Sequence, residues 1–125
     1  MSPNRTEPVR VFLVEDAAVI RDRYRDELRA MPHLTLCGEA VSASEAIAGI
    51  EQNHPDVVLL DLELEQSSGT EVLEALANCG SPPHFVVVTN HVDPTMRDRC
   101  FRMGATHFFD KNRQFLELLE FLQGL

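Results

Sequence analysis

The sequence predicts an α/β domain with a parallel, doubly wound sheet of five strands and five helices. Two observations support this class. Short segments rich in Val, Leu and Phe alternate with longer segments in which apolar residues recur at every third or fourth position. Strand and helix therefore alternate along the chain, and right-handed helical crossovers between parallel strands would cover both faces of the sheet.

The five predicted strands are short and apolar. The first two cover Val9–Val14 and, with a weaker pattern, Leu34–Ala40. The third, Val57–Leu60, is an unbroken apolar run, which is typical of a strand buried on both faces. The last two are expected over residues 85–88 and 106–109. All but the second are followed directly by a polar residue.

Local signals indicate where the helices begin. Asp16 is expected to cap the first helix. The second and third follow S-x-x-E sequences at Ser42 and Ser68, the pattern of a capping box. Asp93, with a proline directly after it, predicts the N-cap and first turn of the fourth. The last helix, dense in Phe and Leu, is expected over residues 113–125.

Composition limits the possible classes of protein. A chain of 125 residues suffices for a single domain, here 1–125, with its own core. The formal net charge of -9 argues against direct nucleic-acid binding, which requires a concentrated basic surface. No segment has the apolar length of a membrane span, and the start lacks a signal-peptide pattern, so we expect a cytoplasmic protein. Cys37, Cys79 and Cys100 fit no disulfide or zinc spacing and are expected to be buried thiols.

Polar residues follow the predicted strands at points that would meet in space. In open parallel sheets, ligands bind beyond the carboxyl ends of the strands. Asp61 directly follows the buried third strand. An ionisable carboxylate at the end of such a strand needs a functional explanation. The residues expected at this edge are Glu15, Asp16, Asp61, Thr89 and Lys111.

Three carboxylates at one edge would repel each other unless a cation compensates them. Mg²⁺ is the natural candidate, because it prefers oxygen ligands and keeps waters and substrate phosphate oxygens in its shell. This predicts phosphoryl chemistry with Asp61 as the nucleophile, which would form an acyl phosphate. Lys111 and the hydroxyl of Thr89 would hold the phosphoryl oxygens.

In combination, these motifs resemble those of response-regulator receiver domains, and the resemblance covers nearly the whole chain. It implies a flavodoxin-like fold with strand order 2-1-3-4-5. The residues that carry it are Glu15 and Asp16 after the first strand, Asp61 with Gly69 eight residues later, Thr89 after the fourth strand, and Gly104-Ala105 leading to Lys111.

The resemblance also implies roles for individual residues. Mg²⁺, for which Mn²⁺ could substitute, would be bound by Glu15, Asp16, Asp61 and the backbone carbonyl of Glu63. Asp61 would accept a phosphoryl group from a phosphohistidine of a histidine kinase or phosphotransfer protein. Phe108 matches the aromatic switch position of the family.

The sequence departs from the family pattern at four positions. Asn112 stands where many members have proline, so we expect a trans bond between Lys111 and Asn112. Glu65 replaces a common loop proline, and Glu63 and His91 occupy variable positions that influence the loss of the phosphoryl group. We leave His91 outside the site.

Three functions remain open on the sequence. The first is a stand-alone receiver that signals through protein binding, with no catalytic activity beyond its own phosphorylation and dephosphorylation. The second is the receiver half of a longer transcriptional regulator. The third is a small aspartate-dependent phosphatase, because Asp61-Leu62-Glu63 resembles a D-x-D motif, although in that class the nucleophile precedes the acidic pair.

A receiver is expected to signal through a protein-binding surface that changes on phosphorylation. The fourth helix, fifth strand and fifth helix would form this surface, with Arg97 and a half-exposed Phe121 within it. A partner, or a second copy of the chain in a homodimer through the last helix region, would bind there.

Overall fold

A computed structural model describes residues 7–90 and 92–125 of the chain. Its strands are β1 (Val9–Val14), β2 (Leu34–Ala40), β3 (Val57–Leu60), β4 (Glu63–Leu64), β5 (Ser67–Ser68), β6 (His84–Thr89) and β7 (Ala105–Asp110). Its helices are α1 (Ala18–Arg29), α2 (Ala43–Asn53), α3 (Gly69–Leu76), α4 (Pro94–Arg102) and α5 (Phe115–Gln123).

Five strands form one parallel sheet in the order β2-β1-β3-β6-β7. The remaining two, β4 and β5, pair only with each other in a short antiparallel hairpin after β3. With the hairpin strands left out of the count, the order is 2-1-3-4-5, so the predicted fold class is confirmed. The hairpin was not predicted, because two-residue strands are too short to show a periodic pattern.

The sheet separates two hydrophobic cores, because alternate residues of each strand face opposite sides. Residues of α2, α3 and α4 pack on one face, against side chains such as Phe12, Val58 and Phe85. Residues of α1 and α5 pack on the other, against Val11 and Leu59 among others. The central strands are therefore buried on both sides, and only their ends can carry polar groups at low cost.

The predicted caps are confirmed for three helices. Ser42 accepts a hydrogen bond from the N–H of Glu45, and Asp93 accepts one from the N–H of Met96. Ser68 begins α3 with a complete capping box, in which the Glu71 carboxylate accepts the N–H of Ser68. Side-chain oxygens thus satisfy backbone donors that have no partner inside the helix.

The prediction that Asp16 caps α1 is wrong. The N-cap is Ala17, which offers no side-chain hydrogen bond. Instead, the N–H of Ala17 donates to the carboxylate of Glu15 at 3.1 Å. Asp16 lies one residue too early for capping, which leaves its carboxylate at the edge of the sheet.

Two further expectations need correction. The last helix begins at Phe115, not at residue 113, because the Asp110 carboxylate accepts the N–H groups of Asn112 and Arg113 and holds them in a turn. It ends at Gln123 rather than residue 125. Of the three thiols, Cys100 is buried, Cys37 is half-buried and Cys79 is exposed, so the expectation of burial is wrong for Cys79 and holds only in part for Cys37. None of the described helices has the length and apolar character that a membrane span requires.

The ring of Phe12 fills a slot between two glycines. A Cβ atom added to Gly38 or to Gly49 would lie 2.6 Å from an atom of this ring. Phe12 is only 1% exposed, so its ring has little space to move away. The missing side chains therefore let α2 pack closely on β1 and β2.

We expect Gly49→Ala to destabilise the protein, although alanine favours helix by about 1 kcal/mol over glycine. Overpacking a rigid core costs about 1–3 kcal/mol, and the new Cβ would lie 2.6 and 2.9 Å from two atoms of the Phe12 ring, so we expect a cost in the upper half of that range and a net loss of about 1–2 kcal/mol. The midpoint of urea unfolding measures this. Gly124→Ala is the control, because its nearest new contacts lie at 3.6 Å. A Gly49→Ala protein as stable as wild type would contradict the close packing of Phe12 between the two glycines.

Candidate functional site

A buried ion-pair cluster lies at the carboxyl edge of the sheet. The Nζ atom of Lys111 lies 2.7 Å from Oε1 of Glu15 and 2.7 Å from Oδ2 of Asp61. The side chains of Glu15 and Asp61 are only 2% and 5% exposed. Charges this deeply buried require a partner, and the ammonium of Lys111 serves both carboxylates.

Backbone pairing positions the two carboxylates. The N–H of Glu15 donates to the carbonyl of Ala40 at 3.0 Å, at the end of β1 and β2. The N–H of Asp61 donates to the carbonyl of Val14 at 3.1 Å, which continues the pairing of β3 with β1. The parallel register therefore brings the first residue after each strand to the same edge.

Gly69, at the start of α3, approaches the backbone of Asp61 closely. Its N–H donates to the carbonyl of Leu62 at 2.9 Å. A Cβ atom at Gly69 would lie 2.3 Å from the carbonyl oxygen of Asp61, so any side chain here would force the backbone apart. The glycine thus fixes the path of the chain directly after β3.

Thr89 supports Lys111 through its backbone. The N–H of Lys111 donates to the carbonyl of Thr89 at 2.9 Å, which extends the pairing of β6 and β7 by one residue. Thr89 is fully buried at the end of β6. The sequence predicted its place at the edge, but not this backbone contact.

Asp16 joins the other two acids in a cluster that could hold a metal ion. One carboxylate oxygen from each of Glu15, Asp16 and Asp61 lies within 4.8 Å of the others. Among the described residues, the ammonium of Lys111 contacts two of these acids, so three ionised acids and Lys111 together carry a net charge of -2. An all-oxygen donor set with this charge fits a hard divalent cation.

The pKa values of Glu15 and Lys111 are both raised, but for different reasons. Burial raises the pKa of Glu15, and the hydrogen bond from Lys111 offsets this only in part. For Lys111, burial lowers the pKa, but the hydrogen bonds to Asp61 and Glu15 outweigh it and the net shift is upward. Lys111 therefore stays an ammonium, and added positive charge at the edge would favour ionised Glu15.

The sequence of the chain matches a known family over nearly its whole length. The model for the response regulator receiver domain matches residues 11–123. The chain belongs to this family. Fold and family therefore agree, since the sheet order seen here is that of the doubly wound folds expected for it.

Relatives of the receiver include longer proteins. The chain is 32% identical over 112 residues to a protein-glutamate methylesterase/protein-glutamine glutaminase of Koribacter versatilis, and the match covers 88% of this chain and 31% of that protein. It is 34% identical over 111 residues to the DNA-binding transcriptional activator DevR/DosR of Mycobacterium tuberculosis, covering 88% and 51%. The chain thus spans about a third of the first protein and about half of the second.

A solved receiver structure has the same fold. The response regulator domain of Thermotoga maritima CheB superposes with a TM-score of 0.84 at 23% identity, covering 94% of this chain and 92% of that one. At this identity the likeness bears on the fold alone.

Other residues singled out in the sequence lie near the site. The N–H of Glu63, rather than its side chain, contacts Asp61, donating to Oδ1 at 3.1 Å, and the metal-binding role of its carbonyl stays a prediction. Phe108 is half-buried on β7, with its ring centroid 6.4 Å from that of Phe101. The Lys111–Asn112 bond is trans, as predicted. His91 lies outside the described residues.

Arg21 is a contact of the site that sequence reasoning missed. Its Nη1 donates at 2.9 Å to the backbone carbonyls of both Glu15 and Asp16. In the sequence it lies off the apolar stripe of the first helix, a pattern that indicates only a solvent-facing arginine. The signal that could have found it is its spacing, since a long side chain in the second turn can reach back to the loop before the helix.

Tyr24, the only tyrosine in the sequence, lies in α1 and is 3% exposed. The charges of the site influence the pKa of its phenol. Burial raises its pKa to about 12 from an ordinary 10.0; the Lys111 charge lowers it and that of Glu15 raises it. Because the raised pKa belongs to the folded state, its stabilising effect is present below pH 10 and is lost as pH rises towards about 12.

We therefore expect the ultraviolet absorbance of tyrosinate to titrate near pH 12 in the folded receiver and near pH 10 in urea. Between these pH values, Tyr24→Phe should lose less stability than wild type. Equal midpoints in the folded and unfolded states would contradict the burial of this phenol.

Proposed function

We propose that the receiver accepts a phosphoryl group on Asp61 from a phosphohistidine of a histidine kinase or a phosphotransfer protein. The observation that carries this is the contact of one ammonium, that of Lys111, with two buried carboxylates beside a third acid. An aspartate that served only as a loop residue would not need to be buried in such a cluster. Family membership supports the same reaction.

The acids fit Mg²⁺ as the companion of this reaction. Glu15, Asp16 and Asp61 would hold it, together with the backbone carbonyl of Glu63, and Mn²⁺ could replace it. When bound, the ion offsets negative charge on the phosphoryl oxygens. The oxygen-only donors and the uncompensated negative charge of the cluster support this assignment.

The transfer itself would use groups of the chain. A carboxylate oxygen of Asp61 attacks phosphorus, a P–O bond forms, and the P–N bond to the donor imidazole breaks with its electron pair leaving on nitrogen. Lys111 would then exchange its contact with Asp61 for one with a phosphoryl oxygen. The hydroxyl of Thr89 would hold a second phosphoryl oxygen.

We propose no turnover of external substrates by this domain, in contrast to the phosphatase considered from the sequence. Glu15 and Asp16, which follow β1, precede Asp61 in the chain, and this is the reverse of the order in that enzyme class. The lengths of the two relatives favour a second candidate role, as the receiver part of a longer regulator. The phosphorylation chemistry is the same in both roles.

Asp61→Asn should abolish phosphorylation while leaving the fold intact, because the amide is isosteric but a far poorer nucleophile. Incubation with Mg²⁺ and a small phosphodonor, followed by intact mass, should add one phosphoryl group to wild type and none to the variant. Chelation of the metal should also prevent the gain.

The control is Asp56→Asn, which changes an acid at the amino end of the same strand, where its carboxylate accepts the N–H of Arg10. This variant should be phosphorylated like wild type. Phosphorylation of Asp61→Asn at the wild-type rate would disprove the assignment of Asp61.

For the output, we propose that phosphorylation draws Thr89 inward and lets Phe108 turn into the space it leaves. This would change the surface of α4, β7 and α5. Phe108 lines a cavity of about 320 Å³ on that surface together with Arg97 and Arg113, and Arg97 lies 5.4 Å from the ring centroid of Phe101. Phe121 is half-buried beside His107, with ring centroids 4.3 Å apart.

Arg97→Glu and Phe121→Ala should each remove the gain in self-association, or in binding of a partner, that phosphorylation produces. Sedimentation with and without phosphodonor measures self-association. Arg29→Glu is the control, because this arginine is exposed on α1, away from the proposed surface, where it pairs with Asp26 at 3.6 Å. Unchanged association in both test variants would place the output surface elsewhere.

A further inference from the structure

Two of the three acids of the site lie on the short loop between β1 and α1. At its start, the N–H of Glu15 pairs with the carbonyl of Ala40. Glu15, Asp16 and Ala17 connect β1 to α1, and the N-cap Ala17 has no side chain able to cap the helix. One restraint comes from within the loop, where the N–H of Ala17 donates to the Glu15 carboxylate. That carboxylate also contacts Lys111 and is needed for any metal ion, so it is a poor anchor for the loop.

Arg21 supplies an anchor that does not use the carboxylates. Its Nη1 atom lies 2.9 Å from the carbonyl oxygen of Glu15 and 2.9 Å from that of Asp16. A guanidinium donates hydrogen bonds in fixed directions, so it orients both peptide groups at once. The two side-chain carboxylates remain free to face the edge of the sheet.

Arg21 is itself held by Glu39, a residue of the neighbouring strand β2. Its Nε atom lies 3.8 Å from the carboxylate of Glu39 on β2. Arg25, one turn further along α1, binds the same carboxylate through two nitrogens at 2.6 and 2.5 Å. The Arg25 hydrogen bond lowers the pKa of Glu39, which keeps this support ionised. The side chains of Arg21 and Glu39 are only 18% and 24% exposed, so the arrangement is partly shielded from water.

We propose that Arg21 is a positioning residue for the acidic site, which fixes the loop carbonyls so that the Glu15 and Asp16 carboxylates are set for a divalent cation. The proposal rests on the proposed function, because it assigns Arg21 a part in metal binding. Arg21 acts through the backbone and touches neither the cation nor the phosphoryl group. Glu39 and Arg25 support it from β2 and α1.

The opposite effect follows if Arg21 acts only through its charge. A positive charge beside three acids repels a cation, so removing it would strengthen metal binding. Positioning predicts the reverse, because loss of the two hydrogen bonds frees the loop and disorders two ligands. The sign of the change in Mg²⁺ affinity therefore separates the two explanations.

The test is titration of isotope-labelled protein with magnesium chloride, with backbone amide chemical shifts followed by NMR. We expect Arg21→Met to weaken Mg²⁺ affinity about tenfold, the lower end of the range for groups that orient metal ligands. Arg21→Lys should weaken it as well, because it keeps the charge but has a shorter side chain without the Nε group that contacts Glu39 while Nη1 binds the two carbonyls. Glu39→Gln should show a smaller loss.

Arg29→Met is the matched control. It removes the same charge from the same helix, but its side chain is 78% exposed and does not contact the loop. Its affinity should equal or slightly exceed that of wild type. Affinity that is unchanged or tighter in Arg21→Met, or wild-type affinity in Arg21→Lys, overturns the proposal. If Arg21→Met does not fold, Arg21→Lys and Glu39→Gln decide.

A measurement without metal separates this proposal from the proposed function. In metal-free protein, the Ala17 amide, which donates to Glu15 at 3.1 Å, should exchange with solvent faster in Arg21→Met than in wild type or Arg29→Met. Equal exchange in all three overturns the positioning role. If wild type binds no Mg²⁺ while this amide exchanges faster in Arg21→Met, the metal assignment fails and the ordering of the loop by Arg21 remains.

Discussion

The contact of the Lys111 ammonium with Glu15 and Asp61 is the interaction on which the edge of the sheet depends. Lys111 follows Glu15 by 96 positions in the chain and Asp61 by 50 positions. The three residues lie at the ends of β7, β1 and β3. Buried carboxylates without a partner are costly, so this site is tolerable only where three strands end together. The parallel order of the sheet supplies that place, and two hydrophobic cores hold the strands in register.

Backbone contacts also hold the site in place. Asp61 is tied to β1 through the carbonyl of Val14, and Lys111 to β6 through that of Thr89. Gly69 lies so close to the Asp61 carbonyl that the chain has no freedom there. Such preorganisation means that the groups need little rearrangement before a ligand arrives.

Much of this could be predicted from sequence, because the signals are local. Apolar runs set β1 to β3 to the residue, and Ser or Asp at the right spacing set the starts of α2, α3 and α4. The clustering of Glu15, Asp61 and Lys111 followed from topology. What failed depends on the three-dimensional path of the chain. The conformation of the β1–α1 loop decides that Asp16 does not cap α1 and that Arg21 turns back to the loop.

The position of Lys111 on the last strand has a consequence for folding. β7 pairs only with β6, at the outside of the sheet, so it can join after the other strands have assembled. A partly folded form without β7 would bring Glu15, Asp16 and Asp61 together without the ammonium of Lys111, and repulsion between like charges would raise its free energy. Long-range contacts of this kind also form slowly. Electrostatic repulsion among the acids would thus disfavour such forms and make folding more cooperative.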